Sequence, residues 1–218
     1  MLPELGNFAL ILALCVAAAL ASLPLIGAWR ENAALIATAR PTALGQFVFV
    51  ALSFAILATA FVQGDFSVQY VAQNSNSLLP MFYRISAVWG AHEGSLLLWV
   101  LILAGWTLAV AVFSRNLPDA VVARVLGVLG WVSVGFIAFV LFTSNPFDRL
   151  LPAAVEGRDL NPMLQDIGLI LHPPMLYFGY VGFSVAFAFA VASLLGRELD
   201  PRWVRWARSW TNVAWAFM

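Results

Sequence analysis

Five stretches of this chain, 6–28, 43–62, 94–113, 121–142 and 175–195, are almost continuously apolar. Each is close to the about 20 residues a helix needs to cross about 30 Å of hydrocarbon. In that medium every backbone N–H and C=O must be bonded inside the protein, which leaves helices or a closed barrel. Runs of this length and character predict an all-α fold, a polytopic transmembrane helix bundle with short interfacial helices, as a single integral membrane domain over 1–218. Charge agrees with this: only 10% of residues are charged, against about 25% in soluble domains. Eleven basic residues, all arginine, balance eleven acids, so the chain has no basic footprint for nucleic acid. The one cysteine, Cys15, lies inside the first run and can form neither an internal disulfide nor a thiolate cluster. A sixth apolar run begins near Thr211 and is cut off at Met218 without a stop signal, so the chain is expected to be the N-terminal part of a longer protein.

Arginine placement predicts the orientation. With the N-terminus outside, Arg30, Arg40, Arg115, Arg124, Arg197, Arg202, Arg205 and Arg208 fall on inner segments, and Arg84, Arg149 and Arg158 fall outside. The inner connections are then short, and the two outer ones, 63–93 and 143–174, run to about 30 residues each, a length usually tied to function when a loop is ordered. Within them 78–92 and 163–171 are apolar enough to lie on the bilayer or pack on the bundle. Asn161 and Pro162 form a helix start signal for the second. On the inner side Asp200-Pro201 is expected to open an interfacial helix in which Arg202, Arg205 and Arg208 alternate with Trp203, Trp206 and Trp210.

The chain has two histidines, both at outer ends of expected spans. His172 precedes a proline pair, which biases it toward extended backbone just before the fifth span. There its imidazole could ligate iron or another metal, with Met175, Tyr177 and Tyr180 as an apolar and aromatic wall. The alternative is an ordinary interfacial histidine bonded to a carbonyl or a lipid headgroup. His92 heads a stripe of Trp89, Leu96, Trp99, Leu103 and Trp106 at helical spacing. That stripe reads first as helix packing, with His92 and Arg84 as partners for Glu93, and second as a cofactor or quinone contact. Asp148, Glu156, Asp159 and Asp166 lack metal-ligand spacing, with Asp166 a candidate to hydrogen-bond the His172 imidazole and orient it. Arg124 is expected to snorkel to the inner face. No phosphate loop, CxxC, HExxH or nucleophilic triad is present.

Three segments carry a resemblance to a known family: Trp89-Gly90-Ala91-His92-Glu93-Gly94-Ser95-Leu96-Leu97-Leu98-Trp99, Leu171-His172-Pro173-Pro174-Met175-Leu176-Tyr177-Phe178-Gly179-Tyr180-Val181-Gly182, and Trp210-Thr211-Asn212-Val213-Ala214-Trp215. Together they resemble the CcmF family, heme-lyase subunits of bacterial cytochrome c maturation, and are also similar to its nitrite-reductase-associated paralogue. The resemblance runs over essentially the whole chain. It implies a multi-pass inner-membrane protein, its N-terminus and heme site facing the periplasm. Such a protein receives heme b from a CcmE-like heme chaperone and supports its attachment to the CxxCH motif of apocytochrome c, with a CcmH-like thioreduction partner. It implies that His172 is one of two outer axial ligands of the heme iron. The family's tryptophan-rich heme-facing segment, second outer histidine and membrane histidines of a second b-type heme, for which quinol is the candidate reductant, do not occur in residues 1–218. These residues alone are therefore not expected to ligate heme productively. Two other classes fit the same spans: a heme or solute transporter, and a non-catalytic scaffold of the maturation complex. Against transport, the five spans carry no acid, histidine or lysine near their centres.

Overall fold

The computed structural model describes residues 1–196 and 202–218. Nine helices occur among them: α1 (Leu2–Trp29), α2 (Ala33–Ala37), α3 (Ala39–Gln63), α4 (Gln69–Asn74), α5 (Met81–Ser86), α6 (His92–Phe113), α7 (Asp119–Thr143), α8 (Ile167–Leu195) and α9 (Arg202–Ala216). Five are long and apolar enough to cross a membrane, α3 being counted together with α2. They coincide with the five expected runs and extend a few residues past them, because helical bonding continues past the edge of the apolar stretch. Their limits follow local rules. Pro3 sits in the first turn of α1, where a missing N–H costs nothing. The Asn32 side chain caps α2 by accepting from the Leu35 N–H. Gly64, at φ 67°, ends α3 in the left-handed conformation.

Packing is driven by small residues rather than by an amphipathic stripe, since lipid is as apolar as leucine. On α1, Ala9, Ala13, Ala17 and Ala21 recur at four-residue steps and are buried. They meet α3 on one side and α7 on the other. At Gly130 of α7 an added Cβ would stand 2.7 Å from the Ala21 backbone nitrogen, so the two helices touch backbone to backbone. One apolar cluster joins Leu10, Leu57, Phe61, Leu97, Ile137 and Phe147 toward the end that carries Met1. A second joins Leu20, Leu103, Leu126, Leu129, Val185 and Phe189 toward the opposite end.

The N-terminus and both long connections share one end, because each long helix inverts the direction of the chain. The two connections fold onto each other: the Gln69 N–H donates to the Asp148 carbonyl (2.8 Å), Leu150 N–H to Ser67 (2.9 Å) and Arg158 N–H to Ala72 (2.7 Å). Arg149 ties this cap to α1, holding Glu4 at 2.7 Å and Asp65 at 3.5 Å and bonding Ser67 as well.

Two expectations are corrected here. The Asn161-Pro162 signal produces only a single 3-10 turn, Pro162–Leu164, capped by Asn161. The helix that matters begins at Ile167 and runs unbroken through Pro173 and Pro174, so His172 lies inside α8 and not in extended backbone before it. The second correction concerns the arginine-tryptophan segment. Its opening at Asp200-Pro201 lies outside the described residues. From Arg202 onward it is one helix with the apolar run that follows, and it packs lengthwise and antiparallel on α8 instead of lying flat. Trp203 and Trp206 sit with Phe189, Ala192 and Ser193 of α8, and Phe217 stacks on Phe178 at 5.3 Å. Its inward face, Trp203, Trp206, Ala207, Trp210 and Ala214, has helical spacing, and Arg202, Arg205 and Arg208 stay exposed.

Candidate functional site

The segment Trp89 to Ser95 is a corner that pins the start of α6 to its neighbours. Tyr70 of α4, 2% exposed, inserts its hydroxyl into this corner, donating to the Val88 carbonyl at 3.0 Å and accepting from the Ala91 N–H at 3.2 Å. Burial pushes its phenol pKa up. Gly94 makes this approach possible, because a Cβ there would fall 1.7 Å from the Val88 oxygen. Ser95 donates to the Trp89 carbonyl (2.8 Å), and the Tyr177 hydroxyl of α8 donates to the Ser95 hydroxyl (3.3 Å).

Trp89 compensates one of the two prolines inside α8. A proline inside a helix costs about 3 kcal/mol, in part because its missing N–H orphans the carbonyl four residues earlier. Pro174 does this to Ile170, and the Trp89 indole N–H donates to that carbonyl at 3.1 Å. At the helix start the Asp166 carboxylate accepts from the Gly168 N–H at 2.8 Å, a cap that also suits the positive end of the helix dipole.

α8 presents its candidate residues on different sides. His172 is exposed, and Met175, one turn on and 49% exposed, shares its face. Ile167, Leu171 and Phe178 continue this uncovered apolar surface, and exposed Met81, Phe82 and Ile85 of α5 lie at the same end. Phe217 and Met218 of the α9 segment lie against Phe178 and Gly179 of α8. Tyr177 turns inward, its ring edge-on to Trp99 at 5.2 Å. Tyr180 is half exposed on a third side of the helix.

His92 does not pair with Glu93. Its Nδ1 lies 3.2 Å from the Ser144 hydroxyl, and its ring meets Phe139 edge-on. Arg84 donates instead to the carbonyls of Leu79 and Ser77, so the expected Glu93 clamp does not form among the described residues. The reason is helical geometry: His92 and Glu93, adjacent at the start of α6, project about 100° apart. Glu93 lines a small polar cleft with Gln69, Gln73 and Asp148. The tryptophan stripe is helix packing, as first read. Trp99 meets Tyr177, and Trp106 donates to the Phe178 carbonyl (3.2 Å) while filling the space left by Gly182. Arg124, half-buried, reaches the last turn of α8, where a Cβ on Gly196 would lie 2.8 Å from its guanidinium. Arg149 and Tyr70 hold the cap together, and nothing local in the sequence marks either, because their partners are distant in the chain. No cluster of three or more His, Cys, Asp or Glu suited to a metal ion occurs among the described residues.

A bundle of five long apolar helices, capped at one end by two interlocked connections and showing a histidine on that end, defines a polytopic membrane protein with its candidate chemistry at one rim. The family model described as cytochrome c assembly protein matches residues 89–218, and the chain belongs to that family. It is 64% identical to the cytochrome c-type biogenesis protein CcmF of Pseudomonas aeruginosa, over all of this chain and 33% of that protein. It is 59% identical to CcmF of Haemophilus influenzae, against 46% to the NrfE protein of the same organism, in each case over all of this chain and 34% of the relative. A solved structure titled cytochrome c heme lyase CcmF superposes with a TM-score of 0.87 at 29% identity, covering all of this chain and 34% of that one. The chain thus spans about one third of the length of the relatives it matches.

Proposed function

We propose that this chain supplies one axial heme ligand, His172, and the surrounding rim of a heme lyase that attaches heme to apocytochrome c. One observation carries the reading: His172 stands exposed on a face of α8 that no other described element covers, beside apolar Met175 and Leu171. A heme is a flat apolar plate with an iron at its centre. It asks for a nitrogen donor and greasy surface at one place, and this face offers both. Helical backbone and the Trp89 bond hold the imidazole on a rigid element. His92, engaged with Ser144, is the weaker candidate.

Heme is here the substrate, delivered as heme b by a CcmE-like chaperone. Coupling adds a client cysteine S–H across a heme vinyl double bond, sulfur to one carbon and hydrogen to the other, so no net oxidant is consumed. The thiol must be reduced, which is the part of a CcmH-like partner, and the CxxCH segment of apocytochrome c must lie alongside the vinyls. The protein's contribution is then orientation: fixing the iron and the ring so that the vinyls face the client, a gain of the kind that positioning supplies in enzymes. The end bearing Met1 and the cap would face the periplasm of a bacterial inner membrane, where translocated apocytochrome is met. A second b-type heme, and quinol as its reductant, belong to this reading as parts not contributed by residues 1–218.

The test replaces the matching third of the Pseudomonas aeruginosa relative with this chain and asks whether the chimera supports cytochrome c maturation in cells lacking their own copy. His172→Ala in that chimera is expected to reduce holocytochrome to background while the protein still inserts. Maturation at the level of the unsubstituted chimera would overturn the assignment.

A further inference from the structure

At the end opposite the cap, a groove of about 470 Å³ runs between the end of α6 and one side of α9. It is lined by Ser114, Asn116, Arg205 and Ser209 and by the apolar Phe113, Leu117, Trp206, Trp210 and Val213. The levels of these residues follow from the helices. Trp210 meets Trp106 edge-on at 6.1 Å. Phe113 lies seven residues beyond Trp106 on α6, about 10 Å nearer that end, and Arg205 lies five residues before Trp210, about 7 Å nearer it. Arg205 therefore stands toward the open end of the groove beside Phe113, and Trp210 and Val213 lie further from that end. Phe113 is 76% exposed and Val213 48% exposed along it.

We infer that this groove binds an anionic phospholipid, phosphate at Arg205 and one acyl chain along Trp210 and Val213. Charge selects the occupant. By sequence the segments at this end carry Arg30, Arg40, Arg115, Arg124, Arg197, Arg202, Arg205 and Arg208, against the acids Glu31, Asp119, Glu198 and Asp200. Asp119 already pairs with Arg40 at 3.5 Å, and Glu31 lines a separate groove with Trp29 and Arg124. No ion pair to Arg205 occurs among the described residues, so its charge is available to a phosphate. A zwitterionic lipid would gain less, because its own ammonium competes for the phosphate, and a free anion would leave the apolar walls uncovered. Basic pockets between membrane helices are a recurrent setting for such headgroups. This inference concerns the end away from His172 and stands apart from the heme reading.

The probe is phosphatidylglycerol against phosphatidylcholine, counted as lipid retained by the purified chimera in native mass spectrometry. Phosphatidylglycerol is expected to be retained preferentially, and Arg205→Gln to lower its occupancy about fivefold, the factor associated with one arginine near an anionic surface. Val213→Trp, which fills the groove and leaves every arginine in place, is expected to lower it as well. Arg30→Gln, at the same end but outside the groove, is expected to leave it unchanged. Equal retention by Arg205→Gln and the parent, or equal retention of the two lipids, would overturn the inference. So would displacement of the bound lipid by millimolar inorganic phosphate, since the site would then be one for a free anion.

Discussion

Replacing Trp89 by Phe tests how α8 survives its proline pair. The phenyl ring keeps most of the apolar contact but has no N–H, so the Ile170 carbonyl loses its donor at 3.1 Å and Pro174 has none to give. Ile170 is buried, at 5% exposure, and a buried carbonyl left unpaired costs about 1–3 kcal/mol. At about 2–4 °C per kcal/mol for a chain of this size, a mid-range loss of about 2 kcal/mol lowers the melting temperature by about 4–8 °C. The decisive arm is Pro174→Ala, which restores the N–H that an ordinary helix would supply to Ile170. In the parent this changes little at that carbonyl, which already has a donor. In Trp89→Phe it should recover most of the loss, giving a coupling of about 1–2 kcal/mol in a double-mutant cycle read by thermal unfolding in detergent. Additive losses would refute the assignment of Trp89 as the partner of the proline-orphaned carbonyl.

Other consequences are open to measurement. Gly130→Val places a side chain against the Ala21 backbone, where the first carbon alone would stand at 2.7 Å, and is expected to abolish folded yield; a normal size-exclusion profile would contradict the close α1–α7 contact. Gln46 is fully buried in α3 with neither amide atom bonded to a protein group among the described residues. Gln46→Met, close in volume and free of polar atoms to desolvate, should therefore raise stability by about 1–3 kcal/mol, and a lower melting temperature would show that the amide has a partner. Tyr70→Phe removes the hydroxyl that holds Val88 and Ala91, so hydrogen exchange at the start of α6 should quicken, while unchanged protection there would refute that role. The Ser77 hydroxyl and the amides of Ser77 and Gly157 hold the Glu156 carboxyl below its ordinary pKa. The contribution of this contact is complete above the ordinary carboxylate range and is lost as pH falls through the lowered value. Proteolysis of the 143–166 connection should accordingly speed up on acidification, and Glu156→Gln should flatten that dependence.

The spans could be read from the chain because membrane insertion is governed by run length, a one-dimensional property, and all five apolar runs became helices. The common end of Met1 and the two long connections was legible for a similar reason, since each crossing inverts the chain. What could not be read was set by partners distant in sequence. The proline pair signalled a break at His172, and the signal was locally sound; Trp89, 81 residues before the Ile170 carbonyl it bonds, works against that break. The Arg202 to Trp210 pattern suited a helix lying in the interface, yet Gly179 and Gly182 of α8 open a lane that lets α9 stand against it. Glu93 was assigned neighbours near in sequence, whereas Ser144 and the cap supply the contacts that decide this corner. For the candidate site, His172 and its neighbour Met175 were legible as candidates but not as a pair on one helical face, since the proline pair argued for extended backbone at His172, and the inward turn of Tyr177 toward Ser95 needed the position of α6.

The most direct test of His172 as an iron ligand is spectroscopic. In the chimera loaded with heme, His172→Gly should convert a six-coordinate, low-spin absorption and electron paramagnetic resonance spectrum to a five-coordinate one, and added imidazole should restore the original. A spectrum indifferent to both the substitution and the imidazole would contradict the claim.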